Sequence, residues 1–180
     1  MNKKQHIIII ATQLFSERGF EHTPISMICE KAKVSKGLIF HYFKSKDDLL
    51  RAVFITTTKL IIEINELKTI DQPPKERLIE LLESFFEQLK LDKFFVQLNL
   101  NIILQPKTRA ILSDLIEERS AFILNSVKEI FEKINPQKAS VMSYLLIAEL
   151  DGIALNYLSI FDAYPLQEIQ AHLIQKYTQL

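Results

Sequence analysis

Three glycines and six prolines are the strong helix breakers in these 180 residues, and their positions decide what the chain can fold into. Gly19, Gly37 and Gly152 lie far apart. Prolines at 24, 73, 74, 106, 136 and 165 cut the rest into pieces of helical length. Proline is accepted in a first helical turn and disfavoured further in. The intervening pieces are rich in Leu, Ile, Glu, Lys and Gln, which favour helix. No segment alternates as a strand would. The expectation is an all-α chain of about nine helices.

Apolar periodicity sets their bounds. The first helix runs from about Lys3 to Arg18, carries Ile7, Ala11, Leu14 and Phe15 as one stripe, and stops at Gly19. Thr23 reads as the N-cap of the second, with Pro24 at the first helical position and Ile25, Ile28, Cys29 and Ala32 as its apolar face. After a short break at Lys33-Val34 comes a third helix, from about Ser35 to Tyr42. Ser45 caps a fourth, with Asp48 completing a capping-box-like pair. Residues 69–74 are the most loop-like segment. Further helices are expected over about Pro74–Lys90, Lys93–Leu104, Lys107–Lys133 and Gln137–Asp162, and from Pro165 to the end.

Net charge is zero, with 22 basic and 22 acidic residues, but the two signs are not mixed evenly. Residues 1–46 hold eight basic against three acidic residues, net +5; residues 47–180 hold 14 against 19, net −5. A basic head on an acidic body suits nucleic-acid binding by the head alone. At 48% hydrophobic, the chain has material for a substantial core and is not a disordered tail. A single cysteine, Cys29, excludes a disulfide framework and a multi-cysteine zinc site. Ile7 to Ile10 is shorter than the roughly 7–15 apolar residues of a secretory signal. No run approaches about 18 uninterrupted apolar residues, so a cytoplasmic chain without a membrane partner is expected. No nucleophile–base pair, phosphate loop or metal cluster stands out, so neither enzyme, cofactor nor metal is expected.

The second and third helices, joined by a break too short for anything but a sharp turn, form a helix-turn-helix. In that motif the second helix enters the major groove, N-terminal end foremost. The residues there are Ser35, Lys36, Gly37 and Leu38. Ser35 and the helix-start N–H groups suit phosphate, Lys36 suits a phosphate or guanine edge, and Gly37 permits close approach. Phe40 to Phe43 are four aromatic side chains in a row that point around the whole helix. Ile39 and Phe43 are assigned to the core, His41 and Tyr42 to the DNA backbone, and Phe40 to a thymine methyl. Lys46 is unfavourably placed for the dipole of the fourth helix, unless a phosphate sits at that helix start.

From about Ile7 to Phe54 the chain resembles the TetR family of transcriptional regulators. The resemblance rests on Ile7, Ala11, Leu14-Phe15, Gly19-Phe20, Thr23, Ile28, Ala32, Val34-Ser35, Lys36-Gly37, Tyr42-Phe43, Lys46 and Leu49. It implies a three-helix DNA-binding head over residues 1–46 and a helical effector-binding and dimerisation bundle over 47–180. It also implies phosphate and base contacts at Thr23, Ser35, Lys36, Gly37, Phe40, His41, Tyr42 and Lys46. Departures include Lys33, where the family has glycine, and Phe40, where it often has tyrosine. Met27 and Cys29 stand where an acidic residue and alanine are common.

In the body, the eighth helix is apolar nearly all round between Val141 and Phe161, so some of its cover is expected from a second chain. A homodimer through the last two helices follows, its heads meeting half-sites about 34–36 Å apart on double-stranded operator DNA. A small lipophilic effector is expected among Phe85, Phe86, Leu89, Phe94, Leu98 and Ile102. Phe122, Asn101, Asn125 and Asn156 add a further wall and polar anchors. The function expected is a sequence-specific DNA-binding regulator, a repressor released by that effector. The alternative is a helical carrier or enzyme for a lipophilic molecule that does not bind DNA.

Overall fold

The computed structural model describes residues 2–66, 72–91 and 93–179, with the backbone alone at 60, 61 and 63–66. The expected loop at 69–74 therefore lies largely outside the described residues. Among those described there are ten α-helices and no strand: α1 (Lys3–Arg18), α2 (Ile25–Ala32), α3 (Lys36–Tyr42), α4 (Lys46–Glu66), α5 (Pro74–Leu91), α6 (Lys93–Leu104), α7 (Pro106–Ile111), α8 (Ser113–Ile134), α9 (Ala139–Leu155) and α10 (Leu166–Thr178). A π-turn, Asn156–Ile160, continues α9. They form two compact units: Met1–Leu60 with Phe94–Ile116, and Ile61–Lys93 with Glu117–Leu180. This packing division differs from the charge boundary at residue 46, which α4 follows at once.

In the first unit, the side chain of Asn2 caps α1 by accepting from the Lys4 N–H at 2.9 Å. Gly19, at φ 78°, ends the helix while its N–H donates to the Phe15 oxygen. The stripe Ile7, Ala11, Leu14 and Phe15 is fully buried, as its spacing predicts. It meets Ile28, Ile39, Phe43, Leu49, Leu50, Val53 and Phe54, and the same core takes Leu98 and Ile102 from α6 and Leu112 beyond α7. Ser45 and Asp48 cap α4 much as expected. The Asp48 N–H donates to the Ser45 hydroxyl oxygen, and the Asp48 carboxylate accepts from the Lys44 N–H rather than from that of Ser45.

The single helix expected over 107–133 is in fact two, broken at Leu112 (φ −112°, ψ 10°). No glycine or proline marks the break; tertiary contacts make it. Leu112 is buried in the core, the Thr108 hydroxyl donates to the Ile102 and Gln105 oxygens, and Arg51 donates to the Ile111 oxygen at 2.9 Å.

In the second unit, α5 buries Leu78, Leu82, Phe86 and Leu89, at helical spacing. Lys75 reaches the Thr178 oxygen and Lys90 the Gln170 side chain, so α5 and α10 run antiparallel. Tyr177 packs on Phe131 and donates to Glu149 at 2.8 Å; Lys176 pairs with the same carboxylate. Helix α9 buries Met142, Leu146, Leu150 and Ile153, while Val141, Tyr144 and Leu145 stay largely exposed on its other side. Length and composition alone would let 139–160 cross a membrane, a test that the core helix of a soluble bundle also passes. The Asn156 side chain donates to the Gly152 oxygen, competing with the backbone where the helix widens into the π-turn.

Candidate nucleic-acid interface

The turn between α2 and α3 is built as its sequence demands. Lys33 adopts φ 53°, ψ 47°, and is the one non-glycine residue with positive φ among those described. The Val34 N–H donates to the Cys29 oxygen at 3.0 Å, the 6→1 bond of a Schellman turn. Glycine takes this conformation freely; a lysine carries about 1 kcal/mol of strain.

Ser35 then caps α3, its hydroxyl oxygen accepting from the Leu38 N–H at 3.2 Å. The hydroxyl proton is left for a partner. Ile39 and Phe43 are buried, as expected, and fix which face α3 turns outward. That face carries Ser35, Lys36, Gly37, Phe40 and His41, all exposed, with Leu38 and Tyr42 half-buried. The Lys36 ammonium lies 5.8 Å from the centroid of the Phe40 ring, and the His41 and Tyr42 rings meet edge to face at 5.1 Å. At Gly37 an added Cβ would meet only the Ser35 hydroxyl, at 3.9 Å. No contact among the described residues requires glycine there.

Thr23 differs from its expected roles. Pro24, not Thr23, is the N-cap of α2, without a side-chain cap bond. Thr23 is fully buried, and its hydroxyl donates towards the Gly19 oxygen at 2.8 Å and the Leu14 oxygen at 3.2 Å. It ties the end of α1 to the start of α2 and offers no side-chain atom to DNA. A threonine before proline reads as a cap in sequence; only its burial shows otherwise.

Lys46 lies 4.3 Å from the Phe20 ring centroid and donates to the Glu21 backbone oxygen at 3.4 Å. Partial burial pulls its ammonium below the ordinary lysine value, against the pull of Glu21. The Glu21 carboxylate is paired with Lys107 at 2.5 Å, which holds it below the usual carboxylate range. Neither Glu21 nor Lys107 stood out in sequence. Glu21 counts only as an acid in a basic head, and Lys107 comes from a helix far along the chain.

The expected effector residues do not converge within one unit. Leu98 and Ile102 are core of the first unit, where the Asn101 amide donates to the Ser16 oxygen at 3.3 Å and Phe94 is 45% exposed. Phe85, Phe86, Leu89, Phe122, Asn125 and Asn156 belong to the second. There Phe86 and Leu89 are fully buried, Phe85, Phe122 and Asn156 half-buried, and Asn125 exposed.

Residues 7–53 match the family model for bacterial regulatory proteins of the tetR family. The HTH-type transcriptional regulator YerO of Bacillus subtilis is 32% identical over 114 residues, which are 61% of this chain and 39% of YerO. The chain thus spans well under two thirds of that relative. A transcriptional regulator of Aquifex aeolicus shares the fold with a TM-score of 0.77 and 26% identity, over 99% of each chain. The transcriptional regulator FadR of Bacillus subtilis, solved with stearoyl-CoA, matches at a TM-score of 0.78 over 95% of each chain, and at 21% identity attests the fold alone. Each of these proteins is named as a transcriptional regulator. Over residues 7–53 the head thus matches the tetR family of bacterial regulatory proteins, and the fold is shared with a solved transcriptional regulator along nearly the whole length.

Proposed function

We propose that the chain is a sequence-specific transcriptional regulator of cytoplasmic DNA. It represses by binding double-stranded operator DNA as a homodimer and leaves it when a small lipophilic effector binds the bundle. The observation that carries this reading is the outer face of α3. Ser35, Lys36, Gly37, Phe40 and His41 stand exposed on a short helix whose other side is locked into the core. The glycine has no internal reason to be there, so its missing side chain serves something outside the protein. Leu38, Tyr42 and Lys46 flank that face; Thr23 braces it from within.

The dimer is assigned to α9 and α10. Val141, Tyr144 and Leu145 leave an apolar strip of α9 open to water, a surface that a two-fold mate would cover. Among the described residues nothing lies within 4 Å of a Cβ at Gly152, which leaves room there for a helix of the mate. The effector contacts are assigned within the second unit, to Phe85, Phe86, Leu89, Phe122, Asn125 and Asn156; Phe94 and Asn101 of the first unit fall outside this set, and Leu98 and Ile102 act as core. The stearoyl-CoA held by the structural relative supports an acyl chain as the effector class. Release then follows from tighter effector binding to a form that fits the operator poorly.

The test is fluorescence anisotropy with DNA flanking the chain's own gene, over a range of salt, with and without fatty acyl-CoA. Binding with a slope of about −0.9 in log–log salt plots per phosphate neutralised is expected. Acyl-CoA should reverse it. Absence of salt-dependent binding to any such fragment overturns the reading.

A further inference from the structure

At the edge of the interface two ammonium groups converge on one residue. Lys107, on α7, meets the Glu21 carboxylate at 2.5 Å. Lys46, at the start of α4, donates to the backbone oxygen of the same Glu21 while resting on Phe20. Carboxylate and Lys46 are close enough to interact electrostatically. With Lys107 gone, Lys46 is the cation that acts most strongly on that carboxylate, ahead of His22. An ammonium with a counter-ion inside its own protein gains less from a DNA phosphate, because the internal pair must first break.

We propose that Lys107 is a positioning residue for DNA binding: by holding the Glu21 carboxylate, it leaves Lys46 available to a backbone phosphate. This rests on reading the head as a DNA-binding element. The Lys107–Glu21 pair is exposed, with side chains 63% and 48% accessible, and such pairs add little to stability. The role argued here is different. One carboxylate lies beside two cations, and Lys107 determines which of them it neutralises. Lys107 belongs to the same compact unit as the head, so the contact is part of that unit's own packing.

Anisotropy titrations of the full chain with operator-region DNA separate this role from others. Lys107→Ala should weaken binding about two- to fivefold, the range an exposed charge pair commands. Glu21→Gln added to Lys107→Ala should restore it, since no carboxylate is left to capture Lys46. In a Lys46→Ala background, Lys107→Ala should have no further effect. A loss that persists in both double variants means that Lys107 touches DNA itself, and overturns the proposal. Thermal melts check that each variant stays folded.

A second readout needs no DNA. Reductive methylation of Lys46, followed by mass spectrometry, should slow in Lys107→Ala and recover in the double variant with Glu21→Gln. Unchanged labelling in Lys107→Ala overturns the positioning role alone. A wild-type chain without salt-dependent DNA affinity overturns the reading of the head, and this proposal with it, even where the labelling pattern stands.

Discussion

Arg51 grips Asp114 as a fork grips a carboxylate, Nη1 to Oδ1 at 2.7 Å and Nη2 to Oδ2 at 2.6 Å. The same Nη1 donates to the Ile111 oxygen, so one side chain on α4 secures the corner between α7 and α8. Hydrogen bonding to Arg51 is the main cause that draws the Asp114 carboxyl down to about 2 from 3.8.

That depression gives a pH signature. A carboxyl whose folded value lies below its unfolded one stabilises the fold above the unfolded value, and the contribution fades as pH falls through the folded one. Asp114→Asn should therefore lower the Tm near neutral pH, and the gap to wild type should close between about pH 4 and pH 2. A gap that stays constant down to that pH would show that the carboxylate charge is not what matters.

Thr23 offers a test of burial against contact. Its hydroxyl donates to two carbonyls in a site closed to solvent. Thr23→Val keeps the shape and leaves those carbonyls short of a donor, at about 1–3 kcal/mol in urea denaturation. DNA affinity per folded molecule should stay at the wild-type level. A selective loss of affinity in a stable variant would return Thr23 to the DNA-contact set.

Gly37→Ala should move stability and binding in opposite directions. A Cβ there meets nothing closer than 3.9 Å, so alanine should stabilise by about 0.5–1 kcal/mol through helix propensity. DNA binding should weaken, because the methyl stands where the duplex comes close. Thermal melts and anisotropy on one preparation read both effects. A stabilised variant with full affinity removes Gly37 from the interface.

The dimer assignment is tested at Leu145, 56% exposed on the open face of α9. Leu145→Glu enters a two-fold interface twice and should weaken dimerisation about a hundredfold or more, read by sedimentation equilibrium. Unaltered association would move the interface elsewhere.

Much of this chain was legible in its sequence because the informative residues act locally. Gly19 and the capping pair Ser45 and Asp48 bound their helices through bonds a few residues long. Lys33, a departure from the glycine usual in the family it resembles, takes the left-handed turn all the same. Ile39 and Phe43 face inward as their spacing requires. The break at Leu112 has no glycine or proline to mark it, because Arg51 and the core make it across long separations. Thr23 misled for a related reason: its type and its place before proline fit a cap, while its burial depends on how α1 meets α2. The aromatic residues of the body share a composition, not a location. Phe94 went to one unit and Phe85 and Phe122 to the other, and hydrophobicity alone carries no address.

Leu98, Ile102 and Leu112 complete a core begun by Phe15 and Phe54, so the unit bearing α3 is discontinuous along the chain. The charge step at residue 46 is no seam for an engineer or a recombination event. A graft of residues 1–46 would carry the positive charge and leave behind the side chains on which its interior depends. Moving this unit into another chain takes two segments and three junctions, not one. Substitutions on the exposed face of α3 leave that interior untouched, so that face can change while the discontinuous core stays as it is.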